Sequence, residues 1–394
     1  MSKVDRWLLP DGIEEVLPNE ANQIEQLRQR LLHLFETWGY DYVIPPMVEF
    51  TDSLLTGSGR DIELLTFKLT DQLSGKTMGI RADITPQAAR MDAHSLQREG
   101  TNRLCYAGHV MHTRPKTPLS SRTPLMTGVE LFGESGLDAD IEIVSLLLAA
   151  LSAIRLEKQY IDIGHVGVFR SLAEFAELNS EQELALFGLL QTKSQSEINA
   201  WLDVNVADEQ ARQWFSQLPK FSGSTGVLDK AREAFAEAPA EVLAALDELQ
   251  ALINVVSERY PNAQFYCDLS ELRGYHYHTG IVFGAFAPGV GNAIASGGRY
   301  DHIGEAFGRS RPATGFDLNL TAICRLLRGN DKTEDKGIFA PETNSYAGWQ
   351  KVLELREQGE RVVCGLSGQT SPRDHQNCDR ILREQDGQLI VEKL

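Results

Sequence analysis

Apolar residues recur every three or four positions early in the chain, where Ile24, Leu27, Leu31, Leu34, Phe35 and Trp38 follow Asn19 and Gly39 closes the run. That spacing gathers them on one stripe of a helix, and glycine is a common helix stop, so an amphipathic opening helix is expected. The next segment, Tyr40-Asp41-Tyr42-Val43-Ile44, reads as extended and is stopped by Pro45-Pro46. Proline donates no ladder hydrogen bond, which places the end of this strand at an edge or an interface. Over residues 64–134 the pattern changes to short strands, at 65–69, 77–81, 104–109 and 128–132, with one helix over 86–94. These predict an antiparallel sheet.

A helix is expected over 138–153 and a strand over 160–165. Residues 171–259 are helical in period and acidic, and read as an all-helical insertion. Strand character returns at 264–269, where Phe265, Cys267 and Leu269 alternate with polar positions, and again at 279–286 and 293–296, so the interrupted sheet resumes. A helix over 318–327 is followed by a polar, glycine-containing linker at 328–336. Strand, helix, strand and strand signals then appear at Ile338, 349–358, 362–366 and 389–391. The expected division is a domain over 1–330, with the 171–259 insertion inside it, and a small C-terminal α/β domain over 337–394.

With 394 residues, 42% of them hydrophobic, the chain has enough apolar material for a large core. No apolar run approaches the roughly 20 residues needed to cross a bilayer. The first 17 residues carry Asp5, Asp11, Glu14 and Glu15 where a signal peptide would be apolar, so the expected location is the cytoplasm, with no membrane partner. Cys105, Cys267, Cys324, Cys364 and Cys378 are scattered and never spaced as a CxxC pair, which indicates neither a disulfide framework nor a zinc site. The net charge of -17, without any cluster of five basic residues, argues against a nucleic-acid partner.

Three segments could carry chemistry. Arg273-Gly274-Tyr275-His276-Tyr277-His278-Thr279-Gly280 combines a guanidinium for a carboxylate with ring faces for a flat cation, although a packed aromatic strand would read the same way. His276 and His278 would share a strand face and could ligate a metal, but no third ligand is evident. Ser296-Gly297-Gly298-Arg299-Tyr300-Asp301 has a glycine pair that admits either a ligand or a simple bulge. Arg81-Ala82-Asp83-Ile84-Thr85-Pro86-Gln87 leads a strand through Pro86 into a helix, where Asp83 or Thr85 could serve as an ordinary N-cap.

In this order the segments resemble the class II histidyl-tRNA synthetase family, over about residues 1–330. Leu9-Pro10-Asp11-Gly12 and residues 40–50 are similar to that family's N-terminal helix and first class II motif, whose proline, here Pro46, sits at a dimer interface. Arg81-Ala82-Asp83-Ile84-Thr85 stands in place of Arg-Pro-Glu-Gly-Thr, and Tyr106-Ala107-Gly108 opens the second motif. Arg273-Gly274-Tyr275-His276-Tyr277-His278 stands where the family has Arg-Gly-Leu-Asp-Tyr-Tyr, and Gly297-Gly298-Arg299-Tyr300-Asp301 matches Gly-Gly-Arg-Tyr-Asp. The resemblance implies an α+β class II synthetase-like fold, an antiparallel sheet flanked by helices.

The departures fall on the nucleotide side. The family's second motif carries Phe-Arg-x-Glu, whose arginine grips the ATP α-phosphate, where this chain reads Met111-His112-Thr113-Arg114. The third motif ends in Glu-Arg, where Thr321 and Ala322 stand here. Adenylyl transfer depends on such positive clamps. The amino-acid side is kept: the resemblance implies Asp83 and Thr85 for the α-ammonium, Glu130 for the imidazole, Arg273 for the carboxylate, and Tyr277 and Tyr300 as pocket tyrosines. His278 replaces a second tyrosine and Met126 a glutamine.

A histidine pocket without activation chemistry resembles the regulatory subunits of ATP phosphoribosyltransferase. That resemblance implies a non-catalytic homodimer, without a cofactor, inside a hetero-oligomer with the short catalytic subunit, which it activates and through which histidine feeds back on the first step of histidine biosynthesis. Active histidyl-tRNA synthetase is the alternative, and a synthetase-like stand-alone regulator or scaffold is a third.

Overall fold

The protein is described from a computed structural model that covers residues 7–394 apart from 58, 118–119, 157, 271–276, 290, 328–335, 342–344, 367–377 and 386. It divides into two compact units, Met1–Leu326 and Leu327–Leu394.

In the first unit, helix α1 (Pro18–Thr37) starts on a proline at its first turn, buries Ile24, Leu27, Leu31 and Phe35, and stops where Gly39 takes a positive φ of 84°. Strand β1 (Asp41–Tyr42) is shorter than the sequence suggested, because the prolines at 45 and 46 cut the ladder off. Strand β2 (Val48–Phe50), helices α2 (Thr51–Leu54) and α3 (Arg60–Leu65), and strands β3 (Phe67–Thr70) and β4 (Thr77–Ile80) follow, the strands forming a small sheet in the order β2-β4-β3. Helix α4 (Thr85–Arg90) widens into a π-helical turn over Met91–Leu96. That turn holds Asp92 inside, where Asn102 Nδ2 donates at 2.7 Å and Arg311 Nη1 at 3.0 Å.

Next come β5 (Asn102–His109), β6 (Leu125–Phe132), helix α5 (Leu137–Ala153) and β7 (Gln159–His165). Helices α6 (Val166–Phe175), α7 (Ser180–Thr192), α8 (Gln195–Asn205) and α9 (Glu209–Gln217) precede the two-residue strand β8 (Ser222–Gly223), and α10 (Val227–Ala234) and α11 (Ala240–Arg259) complete the inserted segment. Strands β9 (Ala263–Asp268), β10 (Ile281–Phe286), β11 (Ala295–Arg299) and β12 (Ala313–Asn319) lead to helix α12 (Leu320–Leu327).

The nine strands are ordered β1-β5-β6-β12-β11-β10-β7-β9-β8. Six of the eight pairings are antiparallel, as the class II synthetase-like α+β reading requires; β1 with β5 and β7 with β9 are parallel. A parallel pair needs a long crossover, and α6 to α11 supply it between β7 and β9. Two expectations are corrected here. Strand β8 lies inside the segment read as wholly helical, and β12 is a seven-residue strand where only a motif had been recognised.

The second unit has β13 (Gly337–Ala340), α13 (Tyr346–Glu357), β14 (Val362–Cys364), β15 (Cys378–Gln385) and β16 (Gln388–Lys393), in the sheet order β14-β13-β15-β16. Strand β15 was not anticipated from its charged sequence. Its core comprises Ile338, Ala340, Val352, Leu355, Val362 and Leu382. Among the described residues no helix is long and apolar enough to cross a membrane.

Candidate functional site

The central strands β6, β12 and β11 carry the site because their register leaves a floor nearly bare of side chains. Gly315 faces Glu130 across β12 and β6, and Gly128 faces Tyr106 across β6 and β5. A methyl group at Gly315 would overlap Glu130 Oε2, and one at Gly128 would lie 2.6 Å from the Tyr106 hydroxyl. Glycine at both positions is what gives the carboxylate and the phenol their space.

Above that floor is a cavity of about 130 Å³ lined by Asp83, Thr85, Glu130, Tyr277 and Tyr300, together with His278, Phe283, Ser296, Asp317 and the glycine floor. Glu130 is its deepest polar group, only 1% exposed. Its Oε1 accepts from Thr85 Oγ1 at 2.7 Å and from the Tyr106 hydroxyl at 3.0 Å, and its Oε2 accepts from the Tyr300 hydroxyl. Burial pushes the Glu130 carboxyl well above the usual carboxylate range, and the hydroxyls of Thr85 and Tyr106 pull it only part of the way back. An incoming cation or N–H donor would stabilise its charged form, so the site gains from a ligand.

Asp83 lies in the turn between β4 and α4, with its Oδ1 accepting the Thr85 backbone N–H at 3.1 Å. The N-cap position of α4 falls on Ile84 and carries no side-chain cap, so the cap foreseen as the ordinary role of Asp83 or Thr85 is not formed; the Asp83 carboxylate closes a local turn instead and lines the cavity. Tyr277 stands edge-on to Tyr300, with ring centroids 6.5 Å apart, and against His278 at 4.2 Å. Five of the six residues expected to bind ligand are thus gathered around one space; the sixth, Arg273, lies outside the described residues, as does His276. Met126 does not line the cavity and packs instead against the neighbouring cluster of Ile84, Tyr106 and Tyr300.

Arg299, within the Gly-Gly-Arg-Tyr-Asp stretch, has a structural job. Its Nε and Nη2 donate to Asp140 Oδ2 at 2.9 and 2.7 Å, and Nη1 reaches Glu134 O at 3.1 Å, which ties the end of β11 to the start of α5.

The positions of the nucleotide clamps are occupied differently. His112 is buried, with Nε2 donating to Ala82 O at 3.0 Å, and burial pushes its ring down to about 4, so it is uncharged near neutral pH. The Thr321 hydroxyl accepts the Leu125 backbone N–H at 3.0 Å, and the Ala322 N–H is capped by Asn319 Oδ1 at 3.0 Å. Arg114, the arginine of the His112 segment, is exposed and lines no part of the cavity; Lys116, whose charge reaches His112 and Asp317, lines none of it either.

Comparison with known proteins gives the family. Residues 12–323 match the histidyl-tRNA synthetase family, and residues 335–392 match the family described as ATP phosphoribosyltransferase subunit HisZ C-terminal domain. The ATP phosphoribosyltransferase regulatory subunit of Teredinibacter turnerae is 66% identical over 100% of both chains. The chain belongs to the ATP phosphoribosyltransferase regulatory subunit family. The regulatory subunit of Saccharophagus degradans is 62% identical over 99% of both chains. Among solved structures, an ATP phosphoribosyltransferase regulatory subunit/histidyl-tRNA synthetase from Bacillus halodurans superposes with a TM-score of 0.84 at 26% identity, covering 97% of this chain and 99% of that one. Histidyl-tRNA synthetase from Nostoc, at 20% identity and a TM-score of 0.77 over 98% and 97% of the two chains, shares the fold. As a member of the regulatory-subunit family, the protein is a synthetase-like chain whose place is in histidine biosynthesis.

Two residues at the site were not singled out as ligand-binding from the sequence: Asp317, which lines the cavity, and Tyr106, noted only as the start of a motif, which does not line it but bonds Glu130. Both enter the site through sheet register, which a residue-by-residue reading cannot supply.

Proposed function

We propose that this regulatory subunit senses free histidine in the cavity around Glu130, activates the short catalytic subunit of ATP phosphoribosyltransferase, and passes histidine feedback to it in the cytoplasm. The observation that carries this reading is Glu130: a buried carboxyl held by three hydroxyls at the bottom of an amino-acid-sized space, with Asp83 and Thr85 at its side. An imidazole N–H suits Glu130, and an ammonium suits Asp83. The assembly is a homodimer, with the edge before Pro46 at its interface, inside a hetero-oligomer with the catalytic chains.

For histidine to inhibit, it must bind the inhibited assembly more tightly than the active one, since a ligand with equal affinity for both shifts nothing. The chain itself performs no adenylation. A neutral His112 and the uncharged Thr321 and Ala322 offer a triphosphate no positive clamp. That is what disfavours the active-synthetase alternative, and the net charge of -17 disfavours tRNA as a partner.

Two measurements test this. Histidine titrated calorimetrically into the full chain should bind, and the reconstituted assembly should lose inhibition by histidine when Glu130 is changed. Histidine-dependent pyrophosphate exchange by the pure chain would overturn the non-catalytic part, and wild-type inhibition from a subunit unable to bind histidine would move the effector site to the catalytic chain.

A further inference from the structure

Asp317 is the one carboxylate at the cavity that the histidine reading above leaves without a task. It stands on β12 opposite Gly128 of β6 and Ser296 of β11, two residues beyond Gly315, which faces Glu130. Residues two apart on a strand share a face, so Asp317 and Glu130 rise from the same floor as diagonal neighbours, with backbones roughly 7–8 Å apart. Its Oδ1 accepts from Ser296 Oγ at 3.3 Å, a contact that aims the carboxyl along the floor. Burial and the charge of Asp83 push the Asp317 carboxyl up to about 6, with the charge of Lys116 and the Ser296 hydrogen bonds pulling it back in part.

The described lining contains Asp83, Glu130 and Asp317 but neither lysine nor arginine. Among the described residues no group of three acidic, histidine or cysteine side chains is disposed to hold a metal ion, and Lys116 reaches Asp317 electrostatically from outside the lining. Histidine presents donors at two ends, an imidazole and an ammonium, and the diagonal spacing offers a carboxylate to each.

We propose that Asp317 is a specificity-determining residue of this cavity, sharing the α-ammonium of the bound amino acid with Asp83 while Glu130 holds the imidazole. The proposal rests on the reading of the cavity as a histidine site. Asp83 alone already gives an oxygen to the Thr85 N–H, and an ammonium has three donors to place. A second carboxylate from β12 fills that need and makes the site demand an amino group.

The test uses the full chain and three ligands: L-histidine, histamine, which keeps the ammonium and lacks the carboxylate, and imidazole-4-propionate, which lacks the ammonium. In Asp317→Asn, histidine and histamine should each bind roughly ten- to a hundred-fold more weakly, the loss of one charged hydrogen bond, while imidazole-4-propionate binds as to wild type. Ser296→Ala, which frees the carboxyl from its aim, should weaken histidine less. Equal weakening of all three ligands makes Asp317 a structural residue, and no weakening removes it from the site; either result overturns the proposal. Glu130→Gln separates the two readings. If it weakens imidazole-4-propionate while Asp317→Asn leaves histidine untouched, the histidine site stands and only the role of Asp317 falls; if wild type binds none of the ligands, both fall.

Discussion

The two ends of the synthetase-like site use their polar atoms in opposite ways. At the amino-acid end, the side chains of Asp83, Glu130 and Asp317 face a cavity, and Glu130 collects three hydroxyl donors there. At the nucleotide end, His112 and Thr321 spend their polar atoms on the chain's own backbone, at Ala82 O and Leu125 N. One end leaves carboxylates facing open space, and the other turns its polar side chains onto the backbone, with His112 Nδ1 left buried and unpaired. The difference teaches that an uncharged side chain standing at a position where relatives of a fold carry a charge can be recruited to close the backbone around it.

The largest expected effect tests the frame that holds the ligand end. Arg299→Ala strands the Asp140 carboxylate, which is buried and bonded at Oδ2 to that guanidinium. Equilibrium unfolding should show a loss of about 3–5 kcal/mol. A loss below about 1 kcal/mol would mean that the end of β11 is held by something else.

His112 sharpens the other side of the comparison through pH. Above 6.5, its ordinary value, the ring is neutral in folded and unfolded chains alike. Between 6.5 and about 4 the unfolded chain takes a proton that the folded chain refuses, so this residue's contribution to stability falls as pH drops. The full swing is about 3 kcal/mol. Asp317 acts in the reverse sense, since its carboxyl is raised from 3.8 to about 6 and favours the folded state most at low pH. Wild type and His112→Gln should therefore be compared at each pH. The variant, whose amide can still donate to Ala82 O, should be relatively more stable at pH 4.5 than at pH 7.5, and parallel melting curves across that range would refute a buried neutral ring.

Glu130→Ala comes next, with an expected cost to histidine affinity of about 1.5–3 kcal/mol, or roughly ten- to a hundred-fold. Calorimetry with a melting curve on the same sample separates a lost contact from a lost fold. The smallest effect belongs to Arg114→Ala: an exposed side chain apart from the cavity should change histidine affinity by no more than about 0.5 kcal/mol. A larger loss would place this cation at the ligand after all and blur the division between the two ends.

Local patterning was enough to locate α1, which buries one regular face, and α5, whose nearly continuous apolar run is buried on almost every side. It missed β12, where Gly315, Asp317 and Asn319 alternate with Phe316 and Leu318 yet glycine lowers the strand signal. With that strand went its register, and so Asp317 stayed outside the expected site. It missed β15 because Arg380, Arg383 and Glu384 give the segment a solvent-like composition. Tyr106 was invisible for another reason: its value lies in pairing opposite Gly128, a fact about two strands rather than about either. The five pocket residues that were foreseen came from ordered motifs, which carry three-dimensional information that local patterning lacks.

The Thr321 hydroxyl makes any route back to catalysis uphill from its first step. A glutamate restored at that position would take the acceptor from the Leu125 amide and put a charge where the chain is 7% exposed, before any arginine at 322 had arrived to meet it. An arginine placed first at 322 would find no carboxylate waiting beside it. A Glu-Arg pair at this corner would therefore have to arrive as two substitutions together, each of them disturbing a backbone contact or a partly buried environment when made alone.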